Sequence, residues 1–280
     1  MTLKSRLLFI CFLIFSINCF SAEVVLDSTR AQITKHLVSC IIYEKKQVEK
    51  KLKLVKSTAE AEKLYLDFED INARLMNKLR ENEIYLMSCM SMHDVDFKKL
   101  PDSLSNIVKT VKKANIRVIK GRDNPDFSFE LDYDLKIFKN YVAPDFKAYL
   151  EMGYNSAKNY NKDDPLEIYL KKMSQYIIES ELFLKKFKKN NWQREEVKRT
   201  MRLEFWDYVF GNEYVETVNE YHKFKKKSLK EFNRFIQKYP KSKSAQFLKK
   251  LLSEYAKYKN TDSLQAYFNE QSYVFINQFK

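Results

Sequence analysis

The three histidines, His36, His93 and His222, are the residues best suited to acid–base or metal chemistry in this chain of 280 residues. Their placement argues against such a use. They fall on separate predicted elements, at none of the short spacings by which one turn or helix offers two ligands to a metal ion. No Ser/His/Asp or Cys/His arrangement carries a supporting local signature, and the glycine-framed serine of a nucleophile elbow is absent. Carboxylates gather at Asp67, Glu69 and Asp70, but that helical spacing describes a solvated face rather than an acid–base pair. No catalytic residue, metal ligand or cofactor is expected, and the chain reads as a non-enzyme.

What the sequence has in abundance is aromatic and basic: 21 Phe, 18 Tyr and a formal charge of +14. Acidic residues are interspersed among the lysines and arginine does not cluster. The charge therefore reads as a solvated surface, and nucleic acid is not expected as a partner. Tyrosines recur on predicted helices, where the ring packs between helices and the hydroxyl reaches water. A subset suits the lining of a groove.

The first residues set the compartment. Lys4 and Arg6 precede an apolar run from Leu7 to Phe15, and Cys19 and Ser21 supply small residues before a cut ahead of Ala22. This pattern predicts a signal peptide over 1–21. The run is shorter than the ~20 residues of a spanning helix. A lipoprotein acylated at Cys19 is the less fitting alternative, because Asn18 precedes the cysteine. No later apolar run is long enough to cross a bilayer, so the mature chain is expected to be periplasmic or secreted. Cleavage leaves Cys40 and Cys89, which an oxidising compartment allows to pair.

The elements that must position any functional residues read as helices. Only Gly121, Gly153 and Gly211 are glycines, against an average near ~7%. That scarcity disfavours phosphate-cradling loops and β-sandwiches. Ile33, Leu37, Ile41, Val48, Leu52 and Val55 mark a helix within 26–56. Ser57 with Glu60 reads as a capping box opening a second, toward Met90, with Leu64, Phe68, Ile71, Leu75 and Leu79 inward. In such an antiparallel hairpin, residues whose numbers sum to about 114 face each other. Cys89 then lies roughly 22 Å from Cys40 along the axis, whereas a disulfide needs Cα atoms within ~7 Å. The pairing stays open: it requires a turn nearer residue 64 or a break in the second helix.

Residues 101–132 are read as a connector, with a short helix from Ser103 to Ala114. The alternating stretch 115–131 forms a small β-hairpin or an irregular loop packing its phenylalanines. From Tyr133 helices resume. One begins at Pro165 with Asp164 as its cap and Ile168 inward, one spans Trp192 to Phe210, and a long one is predicted from about Tyr214 to Tyr239. Two more follow, from about Ser244 and from Asp262. The expected fold is all-α: signal peptide 1–21, helical hairpin 22–100, connector 101–132 and helical-repeat domain 133–280.

The last domain is self-similar. Phe183-Leu184-Lys-Lys-Phe187 through Asn190 aligns with Phe235-Ile236-Gln-Lys-Tyr239 through Ser242 at an offset of 52. The following helices match at 50, with Val197, Met201, Phe205 and Tyr208 against Phe247, Leu251, Tyr255 and Tyr258. Units of helix, basic turn and helix that bury their faces on one another are the logic of α-solenoids. The run Phe232, Phe235-Ile236, Tyr239-Pro240, Ser242 and Ala245 resembles the turn of tetratricopeptide-like repeats in bacterial envelope proteins. It covers about residues 228–260, and the earlier copy lacks the Pro and Ser. The resemblance implies stacked helix pairs that bind peptides, partner proteins or assembly machinery.

The expected function is binding of a protein or peptide partner in the cell envelope. An inhibitor or immunity-type protein that blocks a toxin or wall hydrolase is the alternative. The groove of a solenoid is expected along the second helix of each unit and the closing helix. Its candidate lining is Trp206, Tyr208, Tyr255, Tyr258 and Tyr267, rimmed by Lys225, Lys226, Lys227 and Lys250. Such a surface suits a partner with apolar anchors and acidic flanks. The competing reading buries these rings between helices.

Overall fold

The structure, a computed structural model, describes residues 29–83, 102–119, 126–159, 164–189, 191–212, 215–258 and 260–279. Residues 1–21, read as a signal peptide, Cys89, His93 and the side chain of Tyr258 lie outside the described residues. Ten helices account for 76% of those described, with one two-stranded sheet, so the chain is all-α with a small β-hairpin. It divides between Tyr133 and Asp134 into two compact units.

The first unit is built on an antiparallel pair, α1 (29–52) and α2 (Thr58–Asn82). Ser57 Oγ accepts the Glu60 N–H at 3.2 Å, and the Glu60 carboxylate accepts the Lys56 N–H at 2.9 Å. Two donors at the helix start are thus satisfied reciprocally. The register follows the sequence expectation. Asn82 Nδ2 donates to Thr34 Oγ1 at 2.8 Å and to the Arg30 carbonyl at 3.1 Å, and the Thr34 hydroxyl donates to the buried Glu83. Cys40 therefore lies level with residues 74–76, and its Sγ is 3.6 Å from His36 Nε2. A Cys40–Cys89 bond would require the chain after Glu83 to run back along α1 by about 12 Å.

Of the expected inward stripe of α2, Phe68 and Leu79 are buried, whereas Leu64, Ile71 and Leu75 are only half-buried. Tyr65, Phe68, Asn72, Met76 and Leu79 are buried, while Ile33 of α1 faces solvent. The stretch read as a connector is part of this core. Helix α3 (Asp102–Lys112) and the antiparallel strands β1 (Ile116–Ile119) and β2 (Asp126–Phe129) bury Ile107, Val111, Ile116 and Phe127 against Leu37, Ile41, Met76 and Leu79. Arg80 of α2 ties β2 through Asp126 at 2.6 Å and the Phe127 carbonyl at 3.0 Å. Tyr133 stacks on Phe129 and Phe68.

Tyr133 also opens α4 (Tyr133–Phe138). The second unit continues with α5 (Pro144–Asn159), α6 (Leu166–Lys186), α7 (Trp192–Phe210), α8 (Lys226–Lys238), α9 (Lys243–Tyr258) and α10 (Thr261–Ile276). The start of α6 is not capped by Asp164, which pairs with Lys172 at 2.6 Å, and Ile168 is exposed rather than inward. The long helix predicted from Tyr214 begins only at Lys226. Gly211 (φ 82°) ends α7, and a Cβ there would meet the Val215 carbonyl at 2.2 Å. The Asn219 side chain then accepts the N–H groups of Tyr221 and Lys223, a local alternative to helix.

Helix α6 packs against α7 and α8, α8 against α9, and α10 against both α7 and α9. Both pairs, α6–α7 and α8–α9, are helix, turn and helix. Phe187 and Tyr239 end their first helices at the expected offset of 52. Asn191, rather than Asn190, accepts the Arg194 N–H at 3.0 Å, as Ser242 accepts that of Ala245 at 2.9 Å. The second helices therefore start 51 residues apart.

Candidate interaction surface

Among the described residues, the expected groove lining is divided between one buried ring, half-buried rings and surface lysines. Tyr208 is fully buried, its ring between Phe232 and Phe235 of α8. Trp206 is half-buried against Phe210 and Phe268, with centroids 4.6 and 5.4 Å away. Tyr255 packs on Phe224 at 4.6 Å, and its hydroxyl accepts the Phe224 N–H at 3.3 Å. Tyr267 is half-buried on α10 with Lys250 Nζ over its ring at 5.8 Å. Lys225 precedes the first turn of α8 and pairs with Glu216 at 2.8 Å, Lys226 is exposed, and Lys227 pairs with Glu167 of α6 at 2.9 Å.

The physical reason is α10. A solenoid leaves its second helices partly bare, and here the chain covers that face with its own last helix. Phe268 and Phe275 approach Phe205 of α7 at 6.2 and 5.7 Å, and Phe275 stacks on Phe247 of α9 at 4.5 Å. Polar contacts fix the segment that follows. The buried Arg194 guanidinium donates to the Leu184 and Phe187 carbonyls at the end of α6, and at 2.7 Å to the Phe279 carbonyl. Lys243 Nζ donates to the Gln278 carbonyl at 2.6 Å. A cation at the carbonyl end of a helix is favoured by the unsatisfied carbonyls there.

The opposite side of the unit, along the first helices, is open. Between α6 and α8 lie two adjoining depressions of about 500 and 350 Å³ that share Lys238 and Tyr239. The smaller is floored by Ile178, Leu182, Tyr239 and Pro240. Leu182 is 58% exposed, an apolar side chain that the fold leaves in water. The rim is basic. Lys171, Lys238 and Lys241 are exposed, and no carboxylate among the described residues pairs with them. Lys185 and Arg234 also stand at the edges, each held by a buried carboxylate, Glu181 at 2.6 Å and Glu231 at 2.9 Å.

Glu181 positions the pocket's two walls relative to each other. Its carboxylate accepts the N–H groups of Lys243 and Ser244 at 2.9 Å and the Ser244 hydroxyl at 2.6 Å, closing the free end of α9 from α6. Burial pushes this carboxyl up, but the hydrogen bonds from Lys185, Ser244 and Lys243 outweigh it and hold the group below the usual carboxylate range. Together with Ser242, Glu181 satisfies the first three N–H groups of α9 and sets the turn beneath Tyr239 and Pro240.

Chemistry-bearing residues elsewhere stay apart. Asp70 pairs with Arg74 at 2.9 Å on an exposed face, and His222 Nδ1 lies 2.9 Å from Asp262 in a solvent-exposed contact. Among the described residues no three His, Cys, Asp or Glu side chains gather as metal ligands, and no helix is long and apolar enough to cross a membrane. No family model, curated protein or solved structure matches the chain.

Proposed function

We propose that this chain is a non-catalytic helical-repeat protein, exported to the periplasm or beyond, that holds an extended segment of a protein or peptide partner between α6 and α8. The carrying observation is the asymmetry of the second unit. Its second-helix face is closed by α10, whereas its first-helix face keeps a trough with an apolar floor and a lysine rim. The tetratricopeptide-like run from Phe232 to Ala245 supports a binding role, and the leader pattern of residues 1–21 supports export. The partner segment places an apolar side chain on Leu182, Tyr239 and Pro240, and acidic neighbours against Lys171, Lys238 and Lys241. Exposed charges contribute orientation and salt dependence, and the apolar anchor contributes most of the affinity.

Selection from a displayed peptide library against the full chain tests this reading. Enriched peptides should combine an apolar anchor with flanking acids and lose binding to Leu182→Asp, a change at an exposed position that leaves the fold intact. Enrichment of no sequence class, or peptides indifferent to Leu182→Asp, overturns it.

A further inference from the structure

From the geometry of the first unit, and independently of the α6–α8 trough, we infer that the tip of the α1–α2 hairpin docks on an anionic lipid bilayer. Leu54 is 77% exposed, the most exposed of the large apolar side chains described. It sits in the turn, with Val55 half-buried beside it. Lys50, Lys51, Lys53 and Lys56 surround it, all exposed, and no acidic residue occurs between Lys50 and Ser57. The flanking carboxylates are Glu49, exposed one residue before Lys50, and Glu60, engaged by the Lys56 N–H. Leu52, the last residue of α1, is buried, so the apolar side chain left outward at Leu54 is surplus to the hairpin's own packing.

The arrangement fits a bilayer better than a dissolved polyanion. A lipid surface offers anionic headgroups to a ring of lysines and an apolar layer behind them to the leucine at its centre. A soluble polyanion engages only the lysines and leaves Leu54 in water. The start of α2 lies about 15 Å along the hairpin from Phe68, where Tyr133 stacks.

Co-sedimentation of the full chain with vesicles tests the inference. Vesicles of phosphatidylcholine with about a third phosphatidylglycerol should carry the protein down at low salt, with partitioning reduced at least tenfold in pure phosphatidylcholine or at high salt. Leu54→Ser should weaken partitioning about tenfold, and the pair Lys51→Glu and Lys53→Glu at least as much. The trough pair Lys238→Glu and Lys241→Glu, with the same change in net charge, should alter it less than twofold. Circular dichroism melting should be unchanged throughout, since all these side chains are exposed. Failure of the wild type to bind anionic vesicles overturns the inference. So does Leu54→Ser binding like wild type, which marks attraction to any polyanion, or an equal loss from the trough pair, which marks net charge alone.

Discussion

Replacing Glu204 by Gln should stabilise the second unit at alkaline pH and leave it unchanged in acid. Glu204 lies on α7 near the Tyr176 phenol of α6 and the Asp207 carboxyl one turn on. Burial, and then the charge of Asp207, push its carboxyl from 4.5 up to about 7. The folded protein therefore holds this proton more tightly than the unfolded chain does. Below pH 4.5 both states are protonated and there is no penalty. Between 4.5 and 7 the unfolded chain ionises first, and above 7 the full penalty is present, so this group's contribution falls as pH rises. A shift of this size corresponds to about 3 kcal/mol. Partial solvent access at Glu204 brings the expected gain for Glu204→Gln at pH 8 to roughly 1.5 kcal/mol, against none at pH 4.5. Both tryptophans, Trp192 and Trp206, lie on α7, so tryptophan fluorescence during urea unfolding reports this unit. Asp207 and Glu179, whose carboxyls burial also raises, remain in the variant and cancel in the comparison. No gain at pH 8, or an equal gain at both pH values, refutes the reasoning.

Other substitutions probe the polar groups of the two cores. Asn72 is buried with neither amide atom partnered among the described residues, so Asn72→Leu should raise the stability of the first unit by about 2 kcal/mol in thermal or urea unfolding. Arg194→Met leaves three carbonyls without their donor, so it should cost roughly 3 kcal/mol and expose the C-terminal residues to carboxypeptidase. Glu181→Gln removes the charged cap of α9 and should cost about 1–2 kcal/mol at pH 7. Because the Glu181 pKa is lowered on folding, its contribution is present above 4.5 and lost as pH falls through the folded value. The variant should therefore lose less stability than wild type on acidification below that point.

The fold class was legible because the signals that carry it are local. Ser57 and Glu60 announce the start of α2, and the hairpin register follows from where that turn falls. The stripe of α2 was misphased because Asn72 and Tyr65 look like surface residues, and only the packing of α1, α3 and β2 shows them inward. The helix predicted from Tyr214 to Tyr239 overran because residues 215–225 contain neither proline nor glycine to mark a break. Asn219 and the left-handed His222 (φ 55°) instead fold those residues into a loop with a Val218–Phe224 bridge.

The packing of the aromatics expected along a groove was illegible for a related reason. Trp206, Tyr208 and Tyr255 stand out in the sequence because they are aromatic, and they are aromatic because they pack against α8, α10 and the loop before α8. The covering by α10 depends on contacts as remote as Arg194 to Phe279, which leave no local trace. Two clues to the open side were present. Leu182 breaks the inward spacing of α6, and Glu181 interrupts an apolar run, as a carboxylate does when it serves another part of the chain.

The most direct test of a trough on the first-helix side is site-specific photo-crosslinking of the full chain in the cells that produce it. A photoreactive residue replaces Leu182 in the trough, or Val274, 57% exposed on the outer face of α10. The account predicts one discrete adduct from position 182, suppressed by Lys238→Glu with Lys241→Glu, and none from position 274. Adducts of equal yield from both positions, or from position 274 alone, would contradict it.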